Sequence, residues 1–189
     1  MLLANYNLTI NHNFIDYMVQ SANLSVYLSN PRVSLKEKLF KICLAVKSDI
    51  PTCDRVSIWL FSNDYSEMTS LMCIDEKGGE SKGEILYVKD YKDYFEHIKN
   101  QEILVASDAR HHDISKCFNV GYFDVHNIYS LLDVTFLKDD YSPLGIICCE
   151  RTENKTEWKS SEIEVLKNIS TKASLFISNN VFDTYFSES

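Results

Sequence analysis

Arg55-Val-Ser-Ile-Trp-Leu-Phe61 is short, rich in β-branched and aromatic residues, and alternates. In an extended chain Val56, Ile58 and Leu60 fall on one face, and Ser57, Trp59 and Phe61 on the other. Asn63-Asp64 is a turn signal, and Met68 to Ile74 is the natural return strand of a hairpin. Gly78-Gly79 and Gly83 bracket a polar loop, after which Glu84 to Val88 predicts a third strand.

Upstream the period changes. Phe14, Tyr17, Met18, Leu24 and Leu28 share one helical stripe over residues 12 to 28, ended by Asn30-Pro31. Ser34 and Glu37 have capping-box spacing and open a second helix that buries Leu39, Ile42, Cys43 and Val46. Downstream, Tyr91, Tyr94, Phe95 and Ile98 form the aromatic face of a short helix beginning at Asp90. Ile103 to Ala106 is a brief strand. Ser107 to Gly121 has no sustained period and reads as a long functional connection, followed by a short helix over Tyr122 to His126. Ile128 to Leu137 and the nearly all-apolar Leu144 to Glu150 are the last two strands. Ser161 and Glu164 have the spacing of a second capping box, before a helix with Ile163, Leu166, Ile169, Ala173 and Phe176 on its apolar stripe. Strands in one block with helices at both ends predict an α+β fold. The expected form is one antiparallel sheet, N- and C-terminal helices on one face, and short helices plus a loop over a pocket on the other.

Composition bounds the function. The chain has 189 residues, enough for one domain with a real core. Its net charge of −8 offers no basic patch to nucleic acid or to an anionic membrane, so neither is expected as a partner. No apolar run approaches the roughly 20 residues needed to span a bilayer. The start, Met-Leu-Leu-Ala-Asn-Tyr-Asn, lacks the regions of a signal peptide, which predicts a cytoplasmic protein. Six cysteines without a C-x-x-C pair read as reduced, mostly buried thiols.

Several segments together resemble the GAF domain, as found attached to bacterial histidine kinases and cyclic-di-GMP enzymes. They are Asp54 to Phe61, Gly83-Glu-Ile-Leu with the helix Asp90 to Phe95, Val105-Ala-Ser-Asp-Ala-Arg110, Ser130-Leu-Leu-Asp-Val134, Leu144 to Glu150, and Trp158 ahead of the last helix. The resemblance spans about residues 34 to 178. A PAS-like sensor is the alternative fold, and the long terminal helix and paired early helices favour GAF.

The resemblance implies sensing rather than chemistry, and leaves the ligand and any cofactor unknown. Asn154-Lys155 and Trp158 echo the cyclic-nucleotide motif, but Glu162-Ile163 stands where that motif has Asp-Glu. Bilin attachment in the family uses a Cys usually followed by His; here Phe118 follows Cys117. His111, His112, Asp113 and Cys117, with His126 nearby, carry ligand chemistry without the tight pairing of a structural zinc site, so no metal is assigned. Cys73 and Cys117 are the thiols a GAF-fold reductase would require. Asp108 and Asp133, the other conceivable catalytic pair, read as a loop cap and a strand-edge residue, and no catalytic residue is assigned.

The expected ligand pocket lies between the sheet and the Tyr91–Phe95 helix, under the Ser107–Gly121 loop. Its candidate lining is Trp59, Tyr87, Tyr94, Phe95, Phe118, Tyr122 and Cys149, with Asp108 and Ser130 fixing orientation. The chain divides into a helix in 1–30 that contacts a second copy, a GAF-like domain in 31–181, and a tail or truncated linker in 182–189. A homodimer through the terminal helices is expected, with an output domain or kinase as a further partner. The alternative reading is a dimerisation or protein-interaction scaffold whose pocket has closed.

Overall fold

The computed structural model describes residues 21–177. Phe14, Tyr17 and Met18 of the first predicted helix, and the tail 182–189, lie outside the described residues. Residues 21–29 are helical (α1) and bury Leu24 and Leu28. Helix α2 (Leu35–Asp49) begins at Ser34, whose hydroxyl accepts from the Glu37 amide at 3.3 Å while the Glu37 carboxylate accepts from the Ser34 amide at 2.9 Å. Both halves of the capping box are therefore made, satisfying two amides a helix start leaves without partners.

The hairpin β1 (Arg55–Phe61) and β2 (Glu67–Ile74) forms as the alternation requires. The expected third strand, Glu84 to Val88, forms as the second of two short pieces on this edge. Two short pieces, β3 (Glu80–Ser81) and β4 (Ile85–Tyr87), pair successive stretches of β2. Gly83, at φ +86°, turns the chain between them and donates its amide to the Ser70 carbonyl at 2.7 Å. Helix α3 (Lys92–Gln101) and strand β5 (Ile103–Ala106) follow. Then come a 3-10 turn at Lys116–Phe118, a kinked turn at Asn119–Phe123, and one α-turn, α4 (Asp124–His126). Strands β6 (Ile128–Leu137) and β7 (Pro143–Thr152) lead to helix α5 (Ser160–Phe176).

The α5 start corrects an expectation. Glu162, not Glu164, reaches back, accepting from the Lys159 amide at 2.9 Å and from the Thr52 hydroxyl at 2.6 Å. Glu164 instead meets Lys167 at 3.3 Å. Glu162 is the residue that can cap α5 and also tie it to the α2–β1 connection.

The sheet is antiparallel throughout, in the order β3-β2-β1-β7-β6-β5, with β4 also on β2. Val56, Ile58 and Leu60 face a core shared with α1, α2 and α5. Trp59 and Phe61 face a second core with α3 and the 116–126 region. The strand parity of β1 thus separates a helical layer from a site layer.

Candidate functional site

Three aromatic sources meet on the second face. Trp59 rises from β1, Tyr94 descends from α3, and Phe118 and Tyr122 come from the cover over residues 116–126. Phe118 lies 4.7 Å from Tyr94, 4.5 Å from Tyr91 and 5.9 Å from Tyr122, between ring centroids. Tyr122 meets the edge of Trp59 at 6.1 Å. The cavity they enclose with Asp133, Cys148 and Glu150 is about 10 Å³, room for about one water.

The cover is built to place three rings inward. Gly121 at φ +95°, with extended Val120 before it, breaks the helical path and leaves Val120 83% exposed. Phe118, Tyr122 and Phe123 then point in. Arg110 anchors the cover from the side, donating to the carbonyls of Ile128 at 2.7 Å and Phe123 at 3.0 Å, and to Asp124 at 2.6 Å.

Beneath the rings the sheet carries two cross-strand polar rows. Arg55 pairs with Glu150 across β1 and β7. Its guanidinium also donates to the Tyr122 hydroxyl at 2.8 Å, which donates to the second Glu150 oxygen at 2.9 Å, closing a buried ring of three groups. Burial opposes the charge on Arg55, but Glu150 and Tyr122 outweigh it and hold the guanidinium above its ordinary value. The ring extends outward: Arg55 approaches Glu84 at 4.0 Å, and Glu84 lies 3.4 Å from His126 of the cover.

The second row is Ser57, Cys148 and Asp133, register partners on β1, β7 and β6. Trp59 donates its indole N–H to Ser57 at 2.8 Å. Tyr94 donates to Asp133 Oδ2 at 2.6 Å. Asp133 Oδ1 makes no hydrogen bond of ordinary geometry among the described residues, although the side chain is buried; the Cys148 thiol beside the carboxyl is a weak donor. Burial pushes this carboxyl up to about 7, against the opposing effects of Cys148 and Tyr94.

Of the residues the sequence nominates, Trp59, Tyr94, Phe118 and Tyr122 line this cavity. Phe95 sits in the same core against Phe61 at 6.0 Å, one layer off the cavity. Tyr87 is half-exposed on edge strand β4 with Lys89 over its ring. Asp108 is held in its loop by Lys155 and by His111 at 3.0 Å. Ser130 is buried but ties β6 to two loops, donating to Ser107 O at 2.6 Å and accepting from the Thr156 amide at 2.8 Å. Cys149 lies in the helical core on the opposite face. Asp133 is not the strand-edge residue of the sequence reading: it sits in mid-β6, bridged to Leu104 of β5 and Cys148 of β7.

The histidines of the loop have local partners. His111 faces Asp108, and His112 Nδ1 accepts from the Ile114 amide at 3.3 Å. Among the described residues no group of three or more His, Cys, Asp or Glu side chains is arranged to hold a metal ion. Cys73 is buried in β2 and Cys117 exposed on the cover; burial raises both thiols, to about 11 for Cys73, opposite to the shift that activates a thiolate.

Arg55, Cys148 and Glu150 are not among the sequence's candidates, and Asp133 is considered there only as a strand-edge residue. A signal existed for two of them. In Leu131-Leu-Asp-Val-Thr135 and in Cys148-Cys-Glu150, a carboxylate stands inside an otherwise apolar central strand, where its burial calls for a purpose.

A central antiparallel sheet with paired helices on one face and a kinked cover over a small cavity on the other defines a small α+β module. The GAF domain model matches residues 36–177, and the chain belongs to that family. Solved structures agree in fold. The GAF domain of an Acinetobacter phosphoenolpyruvate-protein phosphotransferase superposes with TM-score 0.66 at 14% identity, covering 91% of this chain and 97% of that one. A methyl-accepting chemotaxis protein fragment gives 0.65 at 10% identity over 84% and 94%. JSC1_58120g3, in a far-red absorbing dark state with bound biliverdin IXa, gives 0.64 at 14% over 84% and 97%. No curated protein matches the chain. No helix among the described residues is long and apolar enough to cross a membrane.

Proposed function

We propose that this GAF domain is a non-catalytic sensory or regulatory module whose small-molecule pocket is closed by its own side chains. In this reading, ligand entry swings Phe118 out on the 116–126 cover, while Tyr122 keeps its bonds to Arg55 and Glu150. The observation that carries it is the cover itself: a kinked segment with an exposed outer side and two rings plugging a site that holds buried carboxylates. Binding that favours the open cover shifts the population of states. The shift is passed through β6 and β7 to α5, and so to the terminal helices. Val26 on α1 and Leu175 on α5 are exposed apolar residues on those helices and support pairing with a second copy in a C2 homodimer. An output domain or kinase, such as those of two-component or cyclic-di-GMP signalling, would read the change in a cytoplasmic setting. A tetrapyrrole the size of biliverdin does not fit 10 Å³ with the cover shut, and Cys117 lies exposed on that cover.

The same small cavity favours a second reading, an interaction or dimerisation scaffold whose pocket has closed for good. Two measurements separate them. Native mass spectrometry of freshly purified protein, compared with the denatured mass, reads any non-covalent ligand and the oligomeric state together. Phe118→Ala removes the plug; a loss of about 3 kcal/mol is expected, partly recovered on adding indole. A mass excess in the native protein, or indole uptake by the variant, supports the sensor. Neither result would leave the scaffold.

A further inference from the structure

Two carboxylates lie under the aromatic plug, and they are finished differently. Glu150 is complete: both oxygens accept, one from Arg55 and one from Tyr122, and the guanidinium lies 5.5 Å from the Tyr122 ring centroid. Asp133 has the same setting with one part fewer. It is 1% exposed and lines the cavity with the aromatic rings, Tyr94 occupies Oδ2 at 2.6 Å, the Cys148 thiol beside it is only a weak donor, and Oδ1 makes no hydrogen bond of ordinary geometry. No cationic side chain among the described residues pairs with it. A buried carboxyl oxygen left without a hydrogen bond is costly, and such exceptions call for a reason.

We propose that Asp133 is the recognition group of the pocket, and that its ligand is a small planar molecule presenting an amidinium- or guanidinium-like N–H edge. This rests on the pocket opening as proposed above. The ligand would do for Asp133 what Arg55 does for Glu150: donate to Oδ1 and lay its plane among aromatic faces. Charge makes the choice selective. Arg55, the cation nearest the cavity floor, is already committed to Glu150. The cavity wall therefore offers acceptors and ring faces to a ligand, and anionic groups such as phosphates or carboxylates are disfavoured. The size follows from the plug: a ligand replacing Phe118 is of about one ring, since Tyr122 stays committed to Arg55 and Glu150.

The test is a titration of the full chain with benzamidine, benzamide and benzoate, three isosteres differing in charge and donors. Binding is read by calorimetry, and its place by the Phe118 and Tyr122 ring resonances. Benzamidine is expected to move those resonances and to bind at least about tenfold tighter than benzoate, with benzamide between. Asp133→Asn is expected to erase the preference for benzamidine over benzamide. Should that variant not fold, the wild-type affinity for benzamidine must still rise from pH 6 to pH 8 as Asp133 ionises. Binding that moves the rings without preference for the cation, a preference that survives in Asp133→Asn, or an affinity flat with pH overturns the role of Asp133 and leaves the pocket. No movement of either ring by any of the three overturns the opening pocket as well.

Discussion

Asp133 carries a pH dependence that follows from its burial. Its folded-state value near 7 lies above the ordinary carboxyl value of 3.8, so the folded chain binds the proton more tightly than the unfolded one. The stabilisation is complete below about pH 4 and is lost as pH rises through about 7, by at most about 4 kcal/mol. The groups facing it are Tyr94, Cys148 and, more remotely, Glu150. Burial raises Tyr94 and Cys148 well above their usual values, so neither titrates in that window. Urea unfolding of the wild type is expected to show stability falling between pH 5 and pH 8, with a flatter profile in Asp133→Asn. A wild-type profile as flat as the variant's would contradict this. Arg55→Met tests the neighbouring row. It leaves Glu150 as a buried carboxylate without its cation, and a loss of about 3 kcal/mol is expected, read by the same unfolding. The sequence showed the aromatic half of this site because rings at helical and strand spacing advertise a face. The acidic half was hidden by parity. Strand β7 is apolar on both sides, so nothing in Ile-Ile-Cys-Cys tells which cysteine looks at the cavity. The choice of Cys149 over Cys148 fell on the wrong side of that ambiguity, since Cys149 joins the helical core.

At the scale of elements, the long strands, α2, α3 and α5 were legible because each has its own period, and β6 was readable to its ends. Segments held by single contacts were not. The split of β3 from β4 depends on Gly83 turning the edge, and the cover depends on Gly121 and on the reach of Arg110, which no short-range pattern announces. Gly145 shows how tightly the central strands close on each other. A Cβ there would fall 2.0 Å from the Trp59 carbonyl oxygen and 2.5 Å from the Phe136 ring. Gly145→Ala must push the β1 backbone, and a loss of more than about 2 kcal/mol is expected from thermal unfolding. Gly121→Ala meets open space, its nearest neighbour being the Tyr91 hydroxyl at 4.0 Å. It carries only the strain of positive φ, about 1 kcal/mol. A Gly145→Ala chain as stable as Gly121→Ala would refute the close approach of β1 and β7.

At the scale of the whole molecule, the sheet separates two kinds of packing. The helical face is an aliphatic core that fixes α1, α2 and α5 to the strands. The site face is aromatic, with a buried ion pair below it and a short, kinked cover above it. Sensing through such a design requires that the cover open while the sheet stays intact. Hydrogen exchange resolved by residue reads this directly, without knowledge of the ligand. Amides of residues 116–126 are expected to exchange by local opening, at a free energy well below that of β1 and β7. Equal protection of the cover and the central strands, lost only on global unfolding, would contradict a pocket that opens and would make this GAF domain a closed scaffold.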